Sequence, residues 1–128
     1  MLRLLLDEHI SPDVAVGLRR QSKSILVLPL TEWERGAFLG QEDELVLLAA
    51  FTQGLTLVTY DCKTIPPLLK TWAEEERSHG GVILVDDKTI LPANIGGLIR
   101  ALSKLINEAG DWDWNNRVIS CNLDYRTL

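Results

Sequence analysis

LRLLLDEHISP, residues 2–12, is the stretch that decides the fold. Its apolar start predicts a strand, Leu2–Leu6, of the continuous hydrophobic kind that parallel sheets bury on both faces. Two acids, Asp7 and Glu8, follow this strand directly. Ser11 then fits a helix cap, and Pro12 fits the first helical position. A strand, an acidic turn and a helix therefore succeed one another at the start of the chain.

The same alternation continues along the sequence. Further strands are predicted at Ile25–Leu28, Leu55–Thr59, Val82–Val85 and Val118–Leu123. Helices are predicted from Pro12 to about Gln21, over Glu42–Gln53, from Thr64 as cap to about Arg77, and from Pro92 to Gly110, with 31–40 as a loop or short helical turn. On the second helix, the predicted inward stripe is Leu45, Leu48, Ala49 and Thr52. Strands that alternate with helices predict crossover connections and a mostly parallel sheet.

We therefore predict an α/β fold, a three-layer α/β/α sandwich with a five-stranded sheet in the order 2-1-3-4-5. The length of 128 residues fits a single domain over residues 1–128. The longest apolar runs fall far short of the roughly 18 residues that a membrane span needs. No secretory signal is visible, and the two cysteines are too few for a disulfide framework. These features predict a cytoplasmic protein without a membrane partner.

The net charge of −5, from 18 acidic and 13 basic residues, excludes a broadly basic nucleic-acid surface. It is compatible with a nuclease, because an active site built from carboxylates lowers the total charge and a bound metal reverses it locally. Where the acids lie in the predicted fold is therefore more informative than their number.

Acidic residues follow the strands on each side of the predicted switch point, which is where open α/β sheets bind ligands. Asp7 and Glu8 follow strand 1, and Asp61 follows strand 3. The helix before strand 3 begins with Glu42, Asp43 and Glu44, and one of these could reach the same edge. Carboxylates gathered in one crevice repel each other unless a cation lies among them. Mg²⁺ and Mn²⁺ prefer oxygen ligands and can activate water for attack on a phosphodiester. Asp7, Asp61 and one acid from the start of that helix are therefore predicted to surround a metal ion.

Each acid also has a purely structural interpretation, and these alternatives stay open at this point. Asp7 could cap the turn into the first helix, and Asp61 could form a turn after its strand. Asp43 and Glu44 would stabilise a helix N-terminus by charge alone. Asp86 after strand 4 is predicted to form a turn.

Two tryptophans precede the last strand and are candidates for packing contacts. Trp112 and Trp114 are expected to pack against that strand or against a partner in a homodimer.

Four segments together resemble the PIN-like (Mut7-C-related) domain family over nearly the whole chain. They are LLLDEHISP at 4–12, LVTYD at 57–61, HGGVIL at 79–84 and WNNRVI at 114–119. The resemblance implies a PIN-like fold, a Mg²⁺- or Mn²⁺-dependent ribonuclease site with RNA as substrate, and a role as the toxin of a toxin–antitoxin module with a cognate antitoxin. Carried over by position, the family's acids fall on Asp7 with Glu8, on Asp43 with Glu44, and on Asp61. The resemblance thus implies Asp7, Asp43 and Asp61 as metal ligands and Glu8 or Glu44 as the residue that orients the attacking water.

One departure from the family pattern opens two alternatives. Members often have a second aspartate three positions after the strand 3 acid, followed by an aromatic residue, where this chain has Thr64 and Ile65. A hydroxyl does not supply a carboxylate's charge, so a catalytically silent PIN-like binding module is one alternative.

A receiver-like phosphoacceptor is the other alternative, since receivers also have acids after strands 1 and 3. Receivers end strand 4 in Ser or Thr and strand 5 in Lys, whereas this chain has Asp86 and, after strand 5, Cys121 or Asn122.

Overall fold

The computed structural model of the chain describes residues 2–22 and 24–122. In that part, nine helices and strands alternate and a short 3-10 segment lies at Trp33–Gly36. In chain order they are β1 (Arg3–Leu6), α1 (Pro12–Gln21), β2 (Leu26–Pro29), α2 (Asp43–Thr52), β3 (Thr56–Thr59), α3 (Ile65–Glu74), β4 (Val82–Val85), α4 (Ile95–Ala109) and β5 (Val118–Cys121). The predicted alternation is confirmed.

The five strands form one parallel sheet in the order β2-β1-β3-β4-β5, which confirms the predicted order. Leu6 of β1 lies opposite Val58 of β3, and the ladder continues beyond the strand, where the Asp7 N–H donates to the Val58 carbonyl at 3.0 Å. The carboxyl ends of β1 and β3 are therefore immediate neighbours. The chain reverses direction across the sheet at this point, as a switch point requires.

The helices cover both faces of the sheet and make the predicted three-layer sandwich. Alternate residues of β1 point to opposite faces: Leu4 and Leu6 pack with α1 and α4, whereas Leu5 packs with α2 and α3. Both faces of the central strands are therefore buried, which explains why β1 and β3 are apolar without interruption.

The helix starts are partly as predicted. Ser11 caps α1 by accepting from the Asp13 N–H at 3.2 Å, with Pro12 in the first turn. Thr64 makes no side-chain cap to α3, because its hydroxyl donates to Asp61 instead. The fourth helix begins at Ile95, three residues after Pro92, because the Asn94 side chain accepts from the Gly97 N–H and fixes the start there.

Several element boundaries also differ from the prediction. β2 is displaced by one residue, to Leu26–Pro29, and α3 ends at Glu74 rather than near Arg77. β5 is described as far as Cys121, and the predicted strand end at Leu123 lies outside the described residues. Boundaries depend on tertiary contacts that the apolar pattern does not record.

The predicted inward stripe of α2 is wrong except at Ala49, which is half-buried against the core. Its buried residues are Val46, Leu47 and Ala50, whereas Leu45 and Leu48 are 47% and 44% exposed. The physical reason is that this helix is apolar on almost every side, so helical spacing does not select a face. Packing against the sheet selects it.

Candidate carboxylate site

The Thr59 hydroxyl connects two of the predicted site residues at the carboxyl edge of the sheet. Thr59 ends β3 and is fully buried. Its hydroxyl donates to Asp7 Oδ2 at 2.7 Å. The Thr59 hydroxyl oxygen also accepts from the Asp61 backbone N–H at 3.1 Å. The register of β1 and β3 places Thr59 beside Asp7, since the preceding residues Leu6 and Val58 are paired. Asp7 and Asp61 therefore lie at one point of the sheet edge.

Asp7 does not cap the first helix, which was its structural alternative. Its other oxygen, Oδ1, accepts from the Glu8 N–H at 2.8 Å, while Ser11 provides the cap. The Asp7 carboxylate is half-buried and directed towards β3, and Glu8 and His9 beside it are exposed. This carboxylate is held at the switch point rather than at the helix start.

Asp43, the first residue of α2, faces the same group of acids. Its carboxylate is half-buried and makes no hydrogen bond or ion pair within residues 2–22 and 24–122. Partial burial raises the pKa of Asp43, and the negative charges of nearby acids, Asp7 first and then Asp61 and Glu8, raise it further, while His9 opposes the rise. The like charges that raise its pKa are those of the predicted site.

Asp61 is also used as a structural residue, as its alternative interpretation predicted. Its Oδ1 accepts from the N–H groups of Lys63 and Thr64 at 3.0 and 2.9 Å, and its Oδ2 accepts from the Thr64 hydroxyl. Burial alone would raise the pKa of Asp61, but these hydrogen bonds outweigh burial and lower it. Asp61 is thus kept ionised, and it holds the turn that leads into α3.

Glu44 is engaged away from the other acids. Its carboxylate pairs with Arg77 Nη1 at 2.7 Å, and the Arg77 guanidinium lies over the Trp72 ring at 4.1 Å from the centroid. Both members of the pair are substantially exposed, so the pair stabilises little. The negative charges of Asp7, Asp61 and Glu8 therefore act on Asp43, whereas Glu44 pairs with Arg77.

The donor set limits what kind of cation the site fits. In the described part of the chain, no three His, Cys, Asp or Glu side chains lie close enough together to hold one ion. Mg²⁺ often binds through only one or two carboxylates, keeps several waters and is completed by substrate phosphates. Asp43 and Asp7 fit this second kind of site. A closed cage of three carboxylates from Asp7, Asp43 and Asp61 stays a prediction.

Sequence reasoning missed two features of this edge. One is Thr59, a polar residue at the end of a strand that otherwise has an apolar core, which is the signal that could have identified it. The other is a repeated pattern, D-x-K-T-I-x-P, at residues 61–67 and again at 86–92. In the second copy, Asp86 accepts from the Lys88 N–H at 3.0 Å and from the Thr89 hydroxyl at 3.2 Å, which confirms the predicted turn.

The tryptophans before β5 have different environments. Trp114 is buried in the core beneath α4, and its Nε1–H donates to the Ala109 carbonyl at 2.9 Å. Trp112 is 46% exposed and stacks on Trp114. Packing next to the last strand accounts for Trp114, and the homodimer stays a prediction.

Comparisons of this chain with protein-family models, with curated proteins and with solved structures give no match. The class that the structure defines is therefore a parallel α/β sandwich with an acidic switch point. Membership of the PIN-like family stays an expectation from the sequence. In the part of the chain that the structure describes, no helix is both long and apolar enough to cross a membrane.

Proposed function

We propose that this protein is a metal-dependent endoribonuclease of PIN-like type, with RNA as substrate and Mg²⁺ or Mn²⁺ as cofactor. The observation that carries the proposal is the Thr59 hydroxyl at the switch point, which donates to the Asp7 carboxylate and accepts from the Asp61 backbone N–H. The absence of any hydrogen-bond or ion-pair partner for Asp43 among the described residues adds support, because it leaves both carboxylate oxygens available.

In this proposal, Asp43 holds the ion together with Asp7 or Asp61, because one or two carboxylates and several waters suffice for Mg²⁺. A bound divalent cation would activate water and offset the charge of the phosphodiester during in-line displacement. Thr59 fixes the Asp7 carboxylate, and the Lys63 and Thr64 donors keep Asp61 ionised. Glu8 is exposed beside Asp7 and would accept the proton of the attacking water.

The resemblance extends the proposal to the biological role. A PIN-like ribonuclease of this size would act in the cytoplasm as the toxin of a toxin–antitoxin module. A cognate antitoxin protein would then be the partner that silences it.

Cleavage of a single-stranded RNA in the presence of Mn²⁺ tests the proposal. We expect Asp7→Asn and Asp43→Asn to lower the cleavage rate at least about 10-fold, because losing even a residue that only supports a metal ligand typically costs about 10- to 100-fold in metal affinity or activity. Asp86→Asn is the matched control, since Asp86 follows the neighbouring strand in the same type of turn. Wild-type protein without Mn²⁺-dependent cleavage, or variants of Asp7 and Asp43 that cleave normally, would contradict the proposal.

A second candidate function, a catalytically silent binding module, is favoured by one observation. Both carboxylate oxygens of Asp61 accept hydrogen bonds from the turn, and the position of the family's second aspartate is Thr64. Calorimetric titration with Mn²⁺ separates the two candidates. The silent module predicts no binding in the millimolar range, whereas the nuclease predicts a site that Asp43→Asn removes.

A further inference from the structure

A cavity of about 280 Å³ lies at the opposite edge of the sheet, where the chain enters β4 and β5. It is separate from Asp7 and Asp61, which follow the other ends of the parallel strands, and its lining residue Arg77 pairs with Glu44. Its walls come from α3, from the connection between α3 and β4, and from the residue two positions before β5. The lining residues are Leu69, Ala73, Glu76, Arg77, Ser78, His79 and Asn116.

His79 is held in one orientation and one tautomer within this wall. It is only 5% exposed, and its Nδ1 accepts from the Gly81 N–H at 3.0 Å. Asn116 holds the His79 backbone on both sides, because its side chain accepts from the His79 N–H and its own N–H donates to the His79 carbonyl. Burial lowers the pKa of His79, so the ring is neutral and its proton lies on Nε2.

The Nε2–H of His79 is a donor without a partner. Among the described residues, no acceptor lies within hydrogen-bonding distance of it. In the described part of the chain, two side-chain polar atoms are both unpartnered and sealed from solvent, Tyr60 Oη and Trp72 Nε1. Because His79 Nε2 is unpartnered but is not one of these two, it has access to solvent. His79 is one of the residues that line the cavity. An acceptor bound there would replace solvent as the partner of this donor.

The same cavity offers an acceptor and an apolar surface. The Glu76 carboxylate makes no hydrogen bond or ion pair with any described residue. Leu69 and Ala73 of α3 provide the apolar wall. Glu76 and Asn116 both have positive φ, 58° and 62°, a backbone conformation that non-glycine residues retain mainly where the surroundings impose it. The donor of His79, the acceptor of Glu76 and the apolar side chains of Leu69 and Ala73 thus line one cavity, together with the polar residues Arg77, Ser78 and Asn116.

We propose that this cavity binds a planar cyclic amide, a ring with a carbonyl next to a ring N–H, as in uracil and guanine. The ring carbonyl accepts from His79 Nε2–H, and the ring N–H donates to the Glu76 carboxylate. Leu69 and Ala73 cover one ring face. The inference does not depend on the proposed nuclease, since the cavity lies at the other edge of the sheet and the test measures binding.

Titration of the full chain with uridine and with 3-methyluridine tests the ring N–H directly. The two nucleosides differ by one methyl group on N3, which removes the donor to Glu76. We expect 3-methyluridine to bind at least 10-fold more weakly, which is the loss of about 1.4 kcal/mol. Guanosine should bind with an affinity similar to that of uridine. Adenosine and cytidine, which have no ring N–H, should bind as weakly as 3-methyluridine. A short oligouridylate that binds more tightly than uridine would identify the source of the ring as an RNA strand, and equal affinity would identify a free nucleoside.

Two glutamine variants complete the test. Glu76→Gln removes the negative charge of the acceptor and should weaken uridine binding by about 10-fold. Glu74→Gln is the matched control, because Glu74 is exposed on the same helix end and does not line the cavity. Equal affinity for uridine and 3-methyluridine, no binding of uridine at millimolar concentration, or unchanged affinity in Glu76→Gln would each overturn the inference.

Discussion

The loops after β3 and β4 share a sequence pattern and a set of hydrogen bonds, but they have different neighbours. In both loops the aspartate accepts from the backbone N–H of the lysine two positions on and from the hydroxyl of the threonine three positions on. Asp61 lies beside Thr59 and Asp7 at the switch point. The Asp86 N–H instead donates to the Cys121 carbonyl of β5 at 2.9 Å. Local sequence therefore makes the turn, and position in the sheet makes the candidate site.

The two copies also send the chain to opposite faces of the sheet. Ile65 packs in the core layer beneath α2 and α3, whereas Ile90 packs in the layer beneath α1 and α4. The first loop enters α3 at once, and the second continues to Asn94 before α4 begins. A short pattern fixes backbone contacts over a few residues, and the layer that receives the next helix is set by longer-range packing.

The largest expected difference between the loops is in catalysis. Asp61→Asn keeps an oxygen that can accept from Lys63 and Thr64 but removes the negative charge at the switch point. We expect RNA cleavage to fall about 100-fold. Asp86→Asn makes the same change one strand away and should leave the rate within twofold. Equal rates for the two variants would show that position in the sheet does not distinguish the aspartates.

The next effect is on stability, where the two loops should behave alike. Asp61→Ala and Asp86→Ala both remove the acceptor of their turns, and each should lower the free energy of unfolding by about 1 kcal/mol. Urea unfolding measures both values. A clearly larger loss at one position would mean that the shared hydrogen bonds are not equivalent.

The Asp61 contribution to stability should depend on pH. Because the folded-state pKa of Asp61 is lowered, ionised Asp61 stabilises the fold above its unfolded pKa of about 3.9. This stabilisation is lost as pH falls through the lower, folded-state pKa. The stability difference between wild type and Asp61→Asn should therefore shrink in acid, and a difference that does not change with pH would contradict the assignment.

The Asp43 charge should have the opposite and smaller effect on the free energy of unfolding. Its pKa is raised in the folded state, so its negative charge destabilises the fold at neutral pH. Asp43→Asn should therefore raise the free energy of unfolding by about 0.5 kcal/mol at pH 7. The gain should disappear below pH of about 4, where the carboxyl is protonated in both states. Destabilisation by Asp43→Asn at pH 7 would contradict a raised pKa of Asp43 in the folded state.

The smallest effect concerns the ion pair between Glu44 and Arg77. Both side chains are substantially exposed, so Glu44→Gln should change the free energy of unfolding by less than about 0.5 kcal/mol. If Glu44 orients water in the proposed nuclease, the same variant lowers the cleavage rate at unchanged stability. An unchanged rate would leave Glu8 as the residue for that role.

Much of the architecture was predictable from local signals. Apolar runs located the strands, and Ser11 with Pro12 located the first helix. Right-handed crossovers limited the possible strand orders without fixing one, and the order chosen among them placed Asp7 beside Asp61. The buried face of α2 was not predictable, because a helix with Leu45 and Leu48 on one side and Val46 and Leu47 on the other has no single apolar stripe.

The site was predictable only in part, because hydrogen bonds across the sheet decide what each acid does. Sequence spacing does not show that Thr59 bridges two acids or that Glu44 reaches Arg77. Asp61 both forms the turn and is a candidate site residue. Its role in the turn depends on the Thr64 hydroxyl, at a position where the family pattern has a carboxylate.

Anomalous diffraction from a crystal soaked in Mn²⁺ tests the central claim most directly. If acids at the switch point share a divalent cation, one peak should lie within bonding distance of Asp43 and of Asp7 or Asp61, and Asp43→Asn should abolish it. The contradicting result is a crystal with no peak at these acids, or with a peak bound only after β4, by Asp86 and Asp87.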